Sequence, residues 1–162
     1  MDSNKNNSLG DLIQLVSFYL GAEEYGIDIL RVQEINRMVE ITLLPQAPDY
    51  CEGVINLRGR VIPIIDLRRK FGMAAADRDK NTRIIVCDIH AHVIGMIVDA
   101  VSEVRRIPAS TVEKPPEIVL NGSSKYIRGV AKLEKSLLMF LDIEKLAVEL
   151  NDEVSLLEEA SV

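Results

Sequence analysis

The sequence contains one block of residues twice, and this duplication limits the folds that the chain can adopt. The segment 53–67, GVINLRGRVIPIIDL, aligns with 129–143, GVAKLEKSLLMFLDI, at an offset of 76 residues. Upstream, 25–35 aligns with 94–104 at an offset of 69 residues. The two offsets differ by 7 residues, as do the linking segments, which contain 17 and 24 residues. Two blocks in the same order with a consistent change in length favour a structural unit used twice over a chance alignment of apolar strands.

Each copy has the pattern of short β-strands separated by turn residues. The segment 15–20 predicts a strand that ends in a turn at 21–24. The apolar runs 54–57 and 61–65 flank Gly59, which can supply the positive φ of a tight hairpin. Many short strands with regular turn signals predict a mainly β fold, either a sandwich or a barrel.

Three residues mark where strands are interrupted or end. Pro63 lies inside an apolar run and predicts an edge strand or a bulge, because proline cannot donate to a strand ladder. Asp66 and Asp142 follow the last strand of each copy and are suited to cap a short helix. An apolar stripe at helical spacing predicts that the second of these helices covers 143–150.

The chain is expected to form a single domain over 12–150, built from two pseudo-repeated subdomains. The first subdomain is expected at about 12–80 and the second at about 81–142, followed by the C-terminal helix. The polar residues 1–11 and the acidic residues 151–162 are expected to be frayed tails.

The composition excludes several classes of partner. The chain has 25 acidic and 19 basic residues and a net charge of −6, whereas binding to nucleic acid is driven by a basic surface. No apolar run approaches the ~20 residues that a membrane span needs, and the N-terminal residues have no secretory signal. We therefore expect a cytoplasmic protein that neither binds nucleic acid nor inserts into a membrane.

The sequence contains no catalytic constellation, phosphate-binding loop or nucleophile elbow. On a strand, His90 and His92 would lie on one face as half a metal site, but a polar hairpin turn is favoured because few residues can supply the remaining ligands. Cys51 and Cys87 have no metal or redox spacing and are interpreted as reduced thiols. We expect no enzyme, metal or cofactor, and keep a hydrolytic or metal-dependent activity that uses the two histidines as an alternative to be tested.

Four motifs in the first copy resemble the CheW family of bacterial chemotaxis coupling proteins. They are EYGIDILRVQEI at 24–35, LPQAP at 44–48, GVINLRG at 53–59 and PIIDL at 63–67. The resemblance runs from about residue 15 to residue 146. It implies two small five-stranded barrels, of the Src-homology-three type, packed around a shared core.

The resemblance also implies a function. Members of the family are non-enzymatic adaptors that tie the cytoplasmic tips of chemoreceptors, the methyl-accepting chemotaxis proteins, to the regulatory domain of the chemotaxis histidine kinase. Such a protein would promote kinase control and the assembly of membrane receptor arrays. Because the kinase domain has the same fold, ring assembly and self-association are both open. The alternative is a small-ligand-binding β-barrel with an apolar metabolite in the groove between the barrels.

Candidate site residues are carried over from the same resemblance. The receptor-facing residues are Val32, Glu34, Ile35, Gly53, Arg58, Gly59, Val101 and Val104, and the kinase-facing residues are Glu113 and Ile118. For the apolar residues the alternative is plain core packing, and for the glycines it is backbone geometry alone. Two positions depart from the family, since some members have a basic residue at Glu113 and an apolar residue is common at Arg83.

Glu34 and Arg58 are expected to form an ion pair at the barrel junction, as the resemblance suggests. Their counterparts in the second copy, at the two offsets, are Glu103 and Glu134, two acids that cannot pair in this way. We therefore predict that only the first copy carries the Glu–Arg pair. Two separate solvated charges are the alternative.

Overall fold

The computed structural model describes residues 11–89, 92–115 and 125–149 of the 162-residue chain. The strands in these ranges are β1 (Leu12–Leu20), β2 (Glu23–Asp28), β3 (Val32–Arg37), β4 (Cys51–Leu57), β5 (Arg60–Asp66), β6 (Arg83–Ile89), β7 (His92–Val98), β8 (Ala100–Pro108), β9 (Val112–Glu113), β10 (Ile127–Lys132) and β11 (Leu137–Leu141). The helical elements in the same ranges include α1 (Leu67–Lys70), α2 (143–149) and the 3-10 turns Ile29–Arg31 and Ala109–Thr111. The predicted mainly β fold class is confirmed.

The strands form two sheets in which five corresponding strands have the same order. The strands β8, β1, β2, β11 and β10 of one sheet correspond in turn to β3, β6, β7, β5 and β4 of the other, and β9 is an additional strand. The six-stranded sheet has the order β8-β1-β2-β11-β10-β9, and the five-stranded sheet has the order β3-β6-β7-β5-β4. Each sheet contains one parallel pair, in which Phe140 lies opposite Gly26 and Ile64 lies opposite Gly95. These two pairs are related by the offsets of 76 and 69 residues read from the sequence. The sheets are therefore equivalent in strand order and in register.

The division of the chain between the sheets does not follow the two subdomains expected from the sequence. The expected boundary near residue 80 falls between β5 and β6, which belong to the same sheet. Strands β1 and β2 come from the first copy but pair with β8 and β11 of the second. The reason is the parallel pairing, because the last strand of each copy joins a central strand of the other copy. Both sheets are thus built from both copies.

Three apolar clusters hold the sheets together. Strand β6 shows the arrangement, since Ile85 and Cys87 face a cluster shared by both sheets whereas Ile84 and Val86 face a separate cluster inside the five-stranded sheet. A third cluster, around Leu15, fills the six-stranded sheet. Burial on both faces explains why such strands are nearly continuous apolar runs. The expected architecture of two small barrels around a shared core agrees with this packing.

Both short helices begin where the sequence predicts them. The Arg68 N–H donates to Asp66 Oδ1 at 3.0 Å at the start of α1, and the Lys145 N–H donates to Asp142 Oδ1 at 3.1 Å at the start of α2. These carboxylates satisfy free N–H groups of the first helical turns. The segment α2 packs on the shared cluster through the buried Leu146.

Candidate protein-binding site

The strands β3 and β8 lie at corresponding edges of the two sheets and carry exposed apolar side chains. Ile35 on β3 is 41% exposed, and Val104, its counterpart at an offset of 69 residues, is 46% exposed. Val32 and Val101 are a second pair of counterparts, and both are half-buried and pack against the shared cluster. We call these four residues the edge-strand surface. Ile35 and Val104 supply its exposed apolar area, and Val32 and Val101 connect it to the core.

Packing against the core therefore explains Val32 and Val101, but it does not explain the exposed Ile35 and Val104. Val32 lies opposite the buried Cys87, and Val101 lies opposite the buried Phe18. Both strands carry a register shift at this point, and a bulge re-aims the side chains beside it. A bulge on each edge also limits pairing with stray strands. The edges are consequently open to side-chain contacts while remaining poor templates for further strands.

The predicted ion pair between Glu34 and Arg58 is present. Arg58 Nη2 donates to Glu34 Oε2, and Asn36 Nδ2 donates to Glu34 Oε1 at 2.8 Å. Glu34 is on the edge strand β3, whereas Arg58 is in the hairpin between β5 and β4 at the opposite edge of the five-stranded sheet. The pair thus joins the two edges and helps close the sheet into a barrel. Because Arg58 is 69% exposed, the pair contributes only about 0–1 kcal/mol.

The hairpin that carries Arg58 has a turn of two residues in left-handed conformations. The φ angles are 53° for Arg58 and 81° for Gly59, as required at both central positions of a type I′ turn. The Gly59 N–H donates to Asn56 Oδ1 at 2.9 Å. Gly59 was expected to have a positive φ, and the positive φ of Arg58 was not anticipated. The turn directs the Arg58 guanidinium toward β3.

The second copy has no equivalent of this pair among the residues that the structure describes. Glu103 lies 3.5 Å from Arg105 rather than near a counterpart of Arg58. The position that corresponds to Arg58 is Glu134. The two barrel junctions therefore differ in charge, as the sequence predicted.

Gly53, a candidate partner residue, has a structural requirement of its own. Its φ is 144°, and a Cβ atom there would lie 2.1 Å from the Thr42 carbonyl oxygen. Thr42 and Val54 exchange two backbone hydrogen bonds of 2.9 Å. The glycine is needed for this close approach of two backbones, as the structural alternative proposed.

A buried polar network in the six-stranded sheet was missed by sequence reasoning. Glu24 is only 5% exposed, and its carboxylate accepts hydrogen bonds from Ser17 Oγ and, at 2.5 Å, from Arg105 Nε. The predicted turn at 21–24 is too long, because Glu23 and Glu24 already belong to β2. The alignment of the two copies contained a signal, because Glu24 aligns with Val93, which is an apolar residue of a predicted strand.

The two kinase-facing candidates and the metal-site alternative are less well defined. Glu113 ends β9, is exposed and lies 3.1 Å from Lys132 Nζ, whereas Ile118 lies outside the described residues.

His92 is in β7, and His90 lies outside the described residues. Within the described ranges, no group of three or more His, Cys, Asp or Glu residues is placed to hold a metal ion, and no helix is long and apolar enough to cross a membrane.

A small cavity with a largely apolar lining bears on the alternative of an apolar ligand. A space of about 230 Å³ opens beside the six-stranded sheet, with Leu15, Leu30, Asp28 and Phe140 among its lining residues. Pockets for small molecules are usually about 300–1,000 Å³. Leu30 is 86% exposed at the rim of this cavity, so a ligand would be poorly enclosed. The apolar groups of this region are better suited to contact with another macromolecule.

Comparison with known proteins agrees with the geometry. The family model described as CheW-like domain matches residues 14–151. The chain is 42% identical to a chemotaxis protein CheW of Klebsiella aerogenes over 82% of this chain and 80% of the relative. It is 33% identical to a chemotaxis protein CheW of Bacillus subtilis over 80% of this chain and 83% of the relative. The crystal structure of the scaffolding protein TtCheW from Thermoanaerobacter tengcongensis is similar, with a TM-score of 0.76 and 38% identity, covering 80% of this chain and 88% of that one.

The paired sheets and these similarities define a chemotaxis protein with a CheW-like domain. More particularly, the chain belongs to the CheW family.

Proposed function

We propose that this chain is a non-enzymatic adaptor that couples the cytoplasmic tips of chemoreceptors to the regulatory domain of the chemotaxis histidine kinase. The main observation in support is the edge-strand surface. Ile35 and Val104 present apolar area at equivalent places on the two sheets, and Val32 and Val101 anchor it in the core. Exposed apolar surface with a polar rim is typical of sites that bind other proteins.

The receptor tip is proposed to bind as an amphipathic helical segment. Such a helix places apolar residues at regular spacing along one face, which suits contact with apolar side chains on an edge strand. The Glu34–Arg58 pair provides a charged rim beside Ile35. Since Arg58 is largely exposed, its contribution is to partner orientation and specificity more than to the stability of the fold.

The kinase regulatory domain is proposed to contact the segment that contains Glu113 and Ile118. Glu113 is exposed and already lies 3.1 Å from Lys132 Nζ, so a basic group of the kinase would share this carboxylate with the lysine. Through these partners the protein would function in the cytoplasm at membrane receptor arrays. Ring assembly with the kinase domain or with further copies of the chain follows from a shared fold.

The proposal is tested by reconstitution of the three components. The purified chain is mixed with receptor cytoplasmic fragments and kinase, and both complex formation and kinase autophosphorylation are measured. We expect Ile35→Lys and Val104→Lys each to weaken binding of the receptor fragment by about tenfold or more, because a charge is then buried in an apolar contact.

The matched control is Val148→Lys, which places the same charge at an exposed valine on α2. It should leave binding within about twofold of the parent protein. Equal effects of all three substitutions would contradict the proposed surface. A parent chain that forms no complex and does not change kinase activity would reject the adaptor function itself.

A further inference from the structure

A cavity lined by three cations lies at one end of the five-stranded sheet. Its volume is about 460 Å³. Arg37 is the last residue of the edge strand β3, Arg83 is the first residue of β6, and Lys80 lies in the turn before β6. We call this the basic cavity, and its full lining is Arg37, Met38, Asp79, Lys80, Asn81, Thr82 and Arg83. A local excess of positive charge is unusual in a chain with a net charge of −6.

The two arginines of the basic cavity lie directly opposite each other. The β3–β6 register pairs Arg37 with Arg83, and like charges at directly opposite positions destabilise an antiparallel pair. The corresponding pair in the six-stranded sheet is Arg106 with Gln14, so the second copy avoids this repulsion. In the part of the chain that the structure describes, no carboxylate forms an ion pair with Arg37, Lys80 or Arg83. Within these residues, the positive charges of the basic cavity are therefore not balanced by an ion pair.

Hydrogen bonds within residues 79–83 fix the conformation of the turn that lines the cavity. The Asp79 N–H donates to Thr82 Oγ1 at 2.9 Å, and the Asn81 N–H donates to Asp79 Oδ1 at 2.7 Å. Arg83 Nη1 donates to the carbonyl oxygens of Lys80 and Thr82 at 2.7 and 2.9 Å. These bonds orient the Arg83 guanidinium through one of its nitrogens. A guanidinium held in this way loses little conformational freedom when it binds a carboxylate.

The internal hydrogen bonds also indicate which anion fits. A phosphate site is usually built on free backbone N–H groups, but the N–H groups of Asp79, Asn81 and Thr82 are used within the turn. Cationic side chains on two strand ends and a turn are suited instead to several carboxylates that are spaced along a chain.

We propose that the basic cavity binds an acidic segment of a protein partner, through carboxylates that contact Arg37, Lys80 and Arg83. Arg37 shares the exposed face of β3 with Ile35, so the segment would lie along the continuation of the edge-strand surface. The proposal extends the binding site beyond the apolar contact. It does not depend on the identity of the receptor or the kinase.

The test uses a fluorescently labelled octaglutamate peptide as the probe, with octaglutamine as its uncharged equivalent. Binding to the full chain is measured by fluorescence anisotropy at about 0.05 M and about 0.3 M salt, since screening weakens an exposed charge contact. We expect Arg37→Gln combined with Arg83→Gln to weaken octaglutamate binding by about fivefold or more. Amide chemical-shift changes on binding should be centred on residue 37 and residues 79–83.

The matched control is Arg106→Gln, which removes a positive charge from the position equivalent to Arg37. It should change octaglutamate binding by less than about twofold. Equal weakening by the control, equal binding of octaglutamine, absence of binding, or displacement of the peptide by equimolar inorganic phosphate would each overturn the proposal. Circular dichroism checks that the variants are folded. Because neither receptor nor kinase is used, a negative result would leave the adaptor function standing.

Discussion

The Arg68 guanidinium holds the Asp99 carboxylate in a two-point ion pair between α1 and the residue after β7. Arg68 Nε lies 2.9 Å from Asp99 Oδ1, and Arg68 Nη2 lies 2.5 Å from Asp99 Oδ2. The Gly21 N–H also donates to Asp99 Oδ2 at 2.7 Å. The other copy has a corresponding link with reversed charges, since Arg31 contacts Glu144 on α2. Each short helix is thus linked by an ion pair to a residue that follows a central strand of a sheet.

The link through Asp99 should make stability depend on pH. The hydrogen bond from Arg68 is the main cause that lowers the pKa of Asp99. A carboxyl whose pKa is lower in the folded state stabilises the fold above its unfolded pKa of about 4 and loses this contribution as the pH falls through the folded pKa. We expect Asp99→Asn to lower the free energy of unfolding by about 1–2 kcal/mol at pH 7.

Urea unfolding of the Asp99→Asn variant and the parent protein at pH 7 and at about pH 3 checks this prediction. The difference between the two proteins should shrink at the lower pH. Asp77→Asn, which changes an exposed carboxylate, serves as the control and should be nearly neutral. A difference that is independent of pH would show that the carboxylate charge is not involved.

The buried network around Glu24 should respond differently to single and combined substitutions. Glu24→Gln leaves Arg105 without its carboxylate and is expected to cost about 2 kcal/mol. The combination Ser17→Val, Glu24→Val and Arg105→Asn installs the residues of the other copy, Val86, Val93 and Asn36. The buried Ser17 and Glu24 are then replaced by apolar groups, and the asparagine at position 105, where the arginine side chain is 29% exposed, can stay hydrated. Since replacing a buried charged network in this way can be neutral or stabilising, the triple variant should unfold at the same or a higher urea concentration than the parent. A triple variant less stable than Glu24→Gln would refute this view.

The thiol of Cys87 should be inert in the native protein. Burial raises the pKa of this thiol to about 12, and the thiolate is the reactive form. At pH 8 the thiolate fraction is therefore on the order of 10⁻⁴. In a Cys51→Ser variant we expect no rapid labelling by a thiol reagent until the protein is unfolded in urea. Rapid labelling of that variant under native conditions would mean that β6 opens readily.

Gly53 should be required for the fold before it is required for any partner. Gly53→Ala is expected to lower the free energy of unfolding by about 3 kcal/mol or more, because the new Cβ would meet a backbone oxygen and φ is positive. The control is Gly59→Asn, where φ is 81° and the surrounding space is open, and asparagine tolerates this conformation. Thermal melting followed by circular dichroism compares the two, and a native-like melt of Gly53→Ala would assign the glycine to binding alone.

The sequence predicted local features of this fold well. The duplication offsets match the strand registers, and the capping of α1 and α2 by Asp66 and Asp142 follows from the preference of aspartate for the N-terminal end of a helix. The Glu34–Arg58 pair was predicted by family resemblance, and spacing alone would not have found it. Features of this kind depend on neighbouring residues or on a recognisable motif.

Long-range pairing was harder to predict. Pro63 indicated an edge strand or a bulge. The strand β5 is not an edge, since it lies between β7 and β4, but its pairing with β4 has a register shift at Ile64–Ile65, next to Pro63. The parallel pairing of β5 with β7 covers only residues 64–66. Because Pro63 lies outside this paired stretch, its missing N–H group does not interrupt the hydrogen bonds to β7. An apolar run identifies a strand but does not identify its neighbours. For the same reason the sequence did not show that the copies share their sheets, or that the carboxylate of Glu24 is neutralised by Arg105 from β8.

The sharing of sheets has a consequence for any shortened form of the chain. A polypeptide that contained only one copy would hold some of the strands of each barrel and would leave its central strands without parallel neighbours. It could complete both barrels only by dimerising with an identical chain through domain swapping. The covalent link between the copies therefore replaces a bimolecular association, and it makes folding of the barrels independent of protein concentration.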